Sequence, residues 1–273
     1  MTLHCEIILI GNELLIGKIQ DTNGQWMIHQ LLPLGIKVTR ITTIMDDIPT
    51  ITTTVRDAFT RKPDYIFTSG GLGPTFDDMT LEGVAAALNP PQPCEENPTA
   101  IELIRQAYLT RYAKPMELTP YRRKMGTIPR GSIPLHNREG AAPGVLIPPS
   151  LTNNVTTIVC LPGVPKELMA IFTDHVMSRF SQLASEGHYS EAGFTFQDLG
   201  ESKFTELIYQ IKDQYPQIWI KTHPKAKERS EVELHLTSFS ADPQVTSQMR
   251  ELYQRLRNHV IQSQGIIIAE RPI

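Results

Sequence analysis

The sequence predicts an α/β protein of two domains: a parallel sheet with helices on both faces, followed by a smaller α+β domain. Three observations carry this expectation. Apolar, β-branched runs at Glu6–Ile10, Ile36–Ile44 and Tyr65–Ser69 alternate with helical patterns, which is the βαβαβα order of a parallel sheet. The third run leads directly into a glycine-rich stretch, Ser69-Gly70-Gly71-Leu72-Gly73-Pro74-Thr75-Phe76-Asp77-Asp78-Met79-Thr80. Beyond a small, polar, unpatterned segment at Ser181–Ser190, the order changes to βαββαβ, that of a split-βαβ fold.

Length and composition agree. The chain has 273 residues, enough for two domains of roughly 100–200 residues each. A formal charge of −3 without any basic block argues against nucleic acid as the main partner. No apolar run approaches the ~20 residues that span a bilayer, and Met1–Glu6 lacks the features of a signal peptide. The 3 cysteines show no metal-type spacing, and a reduced, cytoplasmic compartment is expected.

Taken in order, Glu6–Ile10 reads as a central strand, and Gly11-Asn12-Glu13-Leu14-Leu15 as a loop at its carboxyl end, where open α/β sheets bind ligands. Asp21-Thr22-Asn23 offers N-caps for a helix to about Leu34, so Asn23 has two readings, cap or ligand contact. Ile36–Ile44 is the second strand and ends at Met45-Asp46-Asp47; Ile48–Phe59 is a helix; Tyr65–Ser69 is the third strand. The glycines that follow let backbone N–H groups approach an anion, at the start of a helix over Leu81–Leu88. Asp78 and Thr80 either cap that helix or belong to a phosphate site, where carboxylates imply an intervening divalent cation.

Asn89–Pro98 holds four prolines and is expected to be irregular. A helix follows over Thr99–Tyr112, then the basic Arg122-Arg123-Lys124, which reads as a solvated face, with a contact to a partner's or ligand's phosphate as the alternative. Val145–Ile147 and Val155–Leu161 read as a hairpin, and Pro165 opens a helix to about Phe180. In the second domain the strands are Gly193–Gln197, Gln217–Lys221, Glu231–Thr237 and Gly265–Ala269, with helices at Glu201–Gln214 and Pro243–Ile261. Lys221–Lys227 reads as an exposed basic loop, with a phosphate contact as the alternative.

Four motifs resemble a known family. Gly11–Gly17 with Asp21-Thr22-Asn23, Gly70–Thr80, Asn137-Arg138-Glu139-Gly140-Ala141-Ala142-Pro143-Gly144, and Leu161-Pro162-Gly163-Val164-Pro165-Lys166-Glu167 are similar, in order and wording, to the competence/damage-inducible protein CinA. The resemblance covers nearly the whole chain. It implies a three-layer α/β/α molybdopterin-binding domain of the MoaB/Mog type over 1–182, then a small α+β, KH-like domain over 191–273. The C-terminal domain that carries nicotinamide mononucleotide amidohydrolase activity in full-length CinA has no counterpart in these residues, so deamidation is not expected of them.

The resemblance further implies metal-dependent hydrolysis of ADP-ribose to AMP and ribose 5-phosphate, in a homodimer. Its functional aspartates map onto Asp46 and Asp78, as catalytic residues and ligands of a divalent ion, Mg²⁺ by default. Contacts to a phosphorylated, nucleotide-type molecule are expected from Gly11, Asn12, Glu13, Asn23, Ser69, Gly70, Gly71, Gly73, Thr80, Asn137, Gly140, Pro143 and Gly163. The role of Asp77 is open. Asn12 departs from the family pattern, where Asp is common, which puts more weight on Asp46 and Asp78. Two rival functions share these features: molybdopterin binding or adenylyl transfer in cofactor biosynthesis, and non-catalytic nucleotide or RNA binding by the small domain.

Overall fold

The computed structural model describes residues 3–181, 189–225 and 230–273. They divide into two compact units, the second beginning beyond residue 183. The segment expected to separate the domains lies mostly outside the described residues, as do Ala226 and Lys227 of the basic stretch.

The first unit opens with β1 (Leu3–Ile10), a single helical turn α1 (Asn12–Leu15), α2 (Asn23–Leu31), β2 (Ile36–Ile44), α3 (Ile48–Arg61) and β3 (Tyr65–Ser69). It continues with α4 (Thr80–Ala87), β4 (Cys94–Glu96), α5 (Pro98–Tyr112), α6 (Pro120–Lys124), β5 (Thr127–Pro129), β6 (Ile133–Leu135), β7 (Gly144–Ile147), β8 (Thr157–Leu161), α7 (Pro165–Ile171) and α8 (Ser178–Ser181). The main sheet has the order β2-β1-β3-β8-β7-β6. Its first four strands are parallel, and β7 and β6 are antiparallel.

Successive side chains of a strand face opposite ways, and here both ways are apolar. Ile8 and Ile10 point into a core with Ile51 and Val55 of α3, Val84 of α4 and Ile104 of α5. On the other face, Phe67 of β3 meets Phe172, whose ring also meets Trp26 of α2 edge-on at 5.4 Å. Burial of each such large side chain contributes roughly 1.5–3 kcal/mol. A helix layer therefore covers each face, and the near-continuous apolar runs of the strands are explained. The chain steps from β1 to β2 on one side, then crosses back to β3 on the other. That reversal opens a crevice at the carboxyl ends of β1 and β3.

Local departures from expectation have simple causes. Gly11–Leu15 is not a plain loop, because Asn12–Leu15 closes one helical turn with Ile16 N–H bonded to Asn12 O. Cys94–Glu96 forms a short strand among the prolines by pairing with β5. The helix opened by Pro165 passes through a π turn at Phe172–Met177 before α8.

The second unit comprises β9 (Ser190–Gln197), α9 (Glu201–Ile211), β10 (Trp219–Lys225), β11 (Glu231–Ser238), α10 (Pro243–Gln262) and β12 (Ile266–Arg271). The sheet order β10-β11-β9-β12, with every described pairing antiparallel, is the split-βαβ arrangement. Of the two sequence descriptions, split βαβ and KH-like, this order fits the first. Phe194, Phe196 and Leu234 pack under Phe204 of α9 and Met249 and Leu256 of α10. Asp242 caps α10 by accepting from Gln244 N at 2.9 Å. Lys221–Lys225 lies in β10 rather than in a loop. Pro224 is tolerated there because β10 is an edge strand.

Candidate functional site

A cleft of about 620 Å³ occupies the crevice between the carboxyl ends of β1 and β3. The glycine stretch forms one wall. Gly70 has φ +113°, and a Cβ there would lie 2.0 Å from Ile10 O, so only glycine fits against the end of β1. Gly71 has φ +66°, and a Cβ there would lie 2.3 Å from Thr80 Oγ1.

The hydrogen bonds sort these residues by task. Gly70 N–H donates to Leu161 O at 3.0 Å, which removes it from the expected phosphate cradle. Among the described residues, the N–H groups of Gly71, Leu72 and Gly73 have no backbone or side-chain acceptor. Three neighbouring free amides at the cleft wall suit an anion. The start of α4 adds less than expected, because Thr80 N–H is taken by Gly71 O at 3.2 Å and Glu82 occupies its first turn.

Neither Asp78 nor Thr80 caps α4. Thr80 is fully buried and donates to Gly70 O at 2.8 Å, so it fastens the loop and is not available to a ligand. Asp78 Oδ2 accepts from Thr75 N–H at 2.8 Å and from Thr75 Oγ1 at 2.6 Å. The same hydroxyl also reaches Asp77, and with one hydrogen it serves one carboxylate at a time. That hydroxyl chiefly, then the Asp77 backbone N–H and the charge of Lys124, hold Asp77 below the usual carboxylate range. Lys124 Nζ donates to Thr75 O at 2.7 Å and ties the loop to α6.

Asp46 enters from the end of β2 and lines the same cleft. Its Oδ2 accepts from Asn12 N–H at 2.8 Å, so Asn12 acts through its backbone. Burial pushes the Asp46 pKa up, against that hydrogen bond, and the charges of Glu13 and Asp77 push it further. Glu13 lines the cleft. Gly11 is buried behind it and donates to Ile44 O at 3.1 Å.

Asn23 is not a cap. Its Nδ2 donates to Ser69 Oγ at 2.9 Å and to Gly163 O at 2.8 Å, joining α2, β3 and the turn before α7. Ser69 is buried, and Asn23, Ser69 and Gly163 all line the cleft. Asn137, Gly140 and Pro143 do not line it. Asn137 is buried, donates to Ala142 O at 2.8 Å and Glu167 Oε2 at 2.7 Å, and accepts from Glu139 and Gly140 N–H. These three residues shape the turn behind Ala141, Ala142 and Glu167, which do line the cleft.

Sequence reasoning gave no site role to Thr75, Tyr108, Arg111 or Glu167 of the lining; Lys124 beside it belongs to the basic run for which a phosphate contact was the alternative to a solvated face. Burial pushes the Glu167 carboxyl up, opposed by the Asn137 hydrogen bond and the charge of Arg111. Among the described residues no three His, Cys, Asp or Glu side chains are grouped as a metal site. The acidic side chains of the lining are Glu13, Asp21, Asp46, Asp77, Asp78 and Glu167, all of them oxygen donors. That set fits a Mg²⁺-like ion, which is usually held by one or two carboxylates plus ligand phosphates and water.

The comparisons agree with this fold. The family model for a probable molybdopterin binding domain matches residues 6–182, and the chain belongs to that family. Within it the chain is of the CinA type. The protein CinA of unknown function from Thermoplasma acidophilum is 34% identical in its crystal structure. The match covers 64% of this chain and 98% of that one, with a TM-score of 0.56. A protein of Sulfurisphaera tokodaii is 35% identical over 272 residues, covering 97% of this chain and 98% of its own. A Saccharolobus solfataricus protein is 39% identical over 225 residues, covering 82% and 79%. Among the described residues no helix is long and apolar enough to cross a membrane.

Proposed function

We propose that the cleft binds a phosphorylated, nucleotide-type molecule and hydrolyses its pyrophosphate, converting ADP-ribose to AMP and ribose 5-phosphate. The observation that carries this reading is the row of free amides at Gly71–Gly73, residues that line the same cleft as Asp46, Asp77 and Asp78. The amides would donate to oxygens of one phosphate and stabilise the charge that develops there. Their positions are set beforehand by Thr80, Thr75 and Lys124, so little reorganisation accompanies binding.

Asp46 and Asp78 would hold a divalent cation, Mg²⁺ by default. When bound, it would offset the pyrophosphate charge and lower the pKa of a coordinated water. Carboxylates beside a phosphate cradle otherwise repel the ligand. Asp46, whose pKa burial pushes up, could accept a proton from an attacking water.

The test is a screen of metals against ADP-ribose, FAD and related dinucleotides, with products identified by mass, on the native chain, Asp46→Asn and Asp78→Asn. Metal-dependent release of AMP that falls at least ~100-fold in either variant is expected. Undiminished turnover in both would remove the assignment. A second reading, binding of molybdopterin without hydrolysis, is favoured by the family match itself. Tight molybdopterin binding by a chain inert toward every dinucleotide would establish it instead.

A further inference from the structure

Asn137 and Gly140 stand behind the cleft, and what they hold is the carboxylate of Glu167. Asn137 Nδ2 donates to Glu167 Oε2 at 2.7 Å and to Ala142 O at 2.8 Å. Its Oδ1 accepts from the N–H groups of Glu139 and Gly140, so four hydrogen bonds fix which end of the amide meets the carboxylate. A Cβ on Gly140 would lie 2.2 Å from Glu167 Oε2 and 2.4 Å from Oε1. The turn therefore passes directly against the carboxylate, where a larger residue would displace it.

This socket leaves one oxygen unused. Among the described residues Glu167 Oε1 accepts no hydrogen bond, and no ion pair joins Glu167 to a cation. Arg138, next to Asn137, pairs with Asp174 and Glu139 instead. Arg111 acts on Glu167 through its charge alone. The buried side-chain atoms left without a partner, among the described residues, are Asn23 Oδ1 and Thr68 Oγ1. Glu167 Oε1 is therefore open to solvent, in a half-buried residue that lines the cleft.

Glu167 lies in the first turn of α7, four residues after Gly163. A Cβ on Gly163 would lie 3.4 Å from Gly70 Cα, so the turn before α7 rests against the glycine loop. The cleft thus carries free donors at Gly71–Gly73 and a fixed, free acceptor at Glu167. Phosphate suits the first and is repelled by the second. An acidic residue in a first helical turn also interacts favourably with the helix dipole, but that role asks for neither the Asn137 clamp nor an open oxygen.

We infer that Glu167 is a specificity residue: its Oε1 accepts a hydrogen bond from a neutral donor of the ligand, a sugar hydroxyl or a ring N–H, and so sets the direction in which the ligand lies. This rests on the proposal that the ligand is phosphorylated and nucleotide-like. The phosphate goes to the glycine loop, and the donor-bearing part goes to α7.

The test is calorimetric binding, with Mg²⁺ present, of four probes to the native chain, Glu167→Gln and Glu167→Ala. The probes are a non-hydrolysable methylene analogue of ADP-ribose, ribose 5-phosphate, a phosphorylated pterin and inorganic pyrophosphate. In Glu167→Gln the Asn137 clamp takes the one amide oxygen, and an NH₂ group turns to the open position, so an acceptor becomes a donor. At least one donor-bearing ligand should weaken by roughly ten-fold or more. Pyrophosphate should keep its affinity or gain, because a repelling charge is gone. Loss shared by the ADP-ribose analogue and ribose 5-phosphate assigns the donor to the sugar; loss confined to the pterin assigns it to the ring. Thermal melts check folding, and Glu167→Ala carries the same comparison if Glu167→Gln does not fold.

Donor-bearing ligands that ignore both variants, an equal loss for pyrophosphate, or binding of none of the probes would overturn the inference. Glu167-dependent binding without hydrolysis of ADP-ribose would keep it and remove the proposed reaction. Hydrolysis of ADP-ribose with an unchanged KM in Glu167→Gln would do the reverse.

Discussion

Asp46 is a carboxylate that the folded chain disfavours in its charged form. Burial raises its pKa against the hydrogen bond from Asn12, and Glu13 and Asp77 add repulsion. A carboxyl group whose pKa is raised by folding contributes stability below the ordinary carboxylate pKa. That stability is lost as pH climbs through the ordinary value to the raised one. Asp46→Asn should therefore raise the melting temperature of the ligand-free protein at neutral pH and give no such gain in acid, even as activity falls. Equal shifts at both pH values would show that the charge is not the cause. Asn23 works in the opposite direction. Asn23→Ala removes both buried donations, to Ser69 and Gly163, and should cost about 1–3 kcal/mol in urea unfolding. Asn23→Asp should be at least as damaging, because a carboxylate cannot donate to Gly163 O.

The glycine loop is the element on which the site depends. Gly70→Ala would drive a methyl group into Ile10 O at a positive φ, so the loop must move. We expect a loss on the order of 1–3 kcal/mol, read by urea unfolding, together with a sharp fall in ADP-ribose hydrolysis. Much of this element was legible. Asp78 and the glycines stand out because few other roles need that run of residues between a strand and a helix. Which amides stay free was not legible, because Gly70 spends its N–H on Leu161, a residue 91 positions away. Thr80 was misread for the same reason. A threonine at a helix start is equally suited to a ligand contact, a cap or a loop clasp, and only the packed neighbour selects among them. Lys221–Lys225 was read as a loop because basic residues and a proline suggest exposure, yet an edge strand accepts both.

The molecule as a whole carries two separate apolar cores, one around Ile8 and Val55 and one around Phe196 and Phe204. Every residue that lines the cleft belongs to the first unit. Phe204→Ala would empty space among Phe194, Phe196 and α10 and should cost about 3–5 kcal/mol in the second unit. The prediction is an early unfolding transition by circular dichroism, with kcat and KM for ADP-ribose unchanged below that transition. Loss of turnover in parallel with the second unit would mean that the cleft does not act alone.

By itself the sequence determined the βαβαβα opening of the first unit, the βαββαβ order of the second, and the wall of glycines and aspartates; it did not show the short elements α1, β4, α6, β5 and β6. What it determined follows from periodicity and from residue types with few conformational alternatives, which are local properties. The tertiary structure decided which of those residues face the cleft and which hold others in place. It turned Thr80 and Asn137 into supports, and it brought Tyr108, Arg111, Lys124 and Glu167 to the site from distant positions. Their roles depend on neighbours tens of residues away, and a side chain's hydrogen-bonding capacity is assigned only when those neighbours have packed.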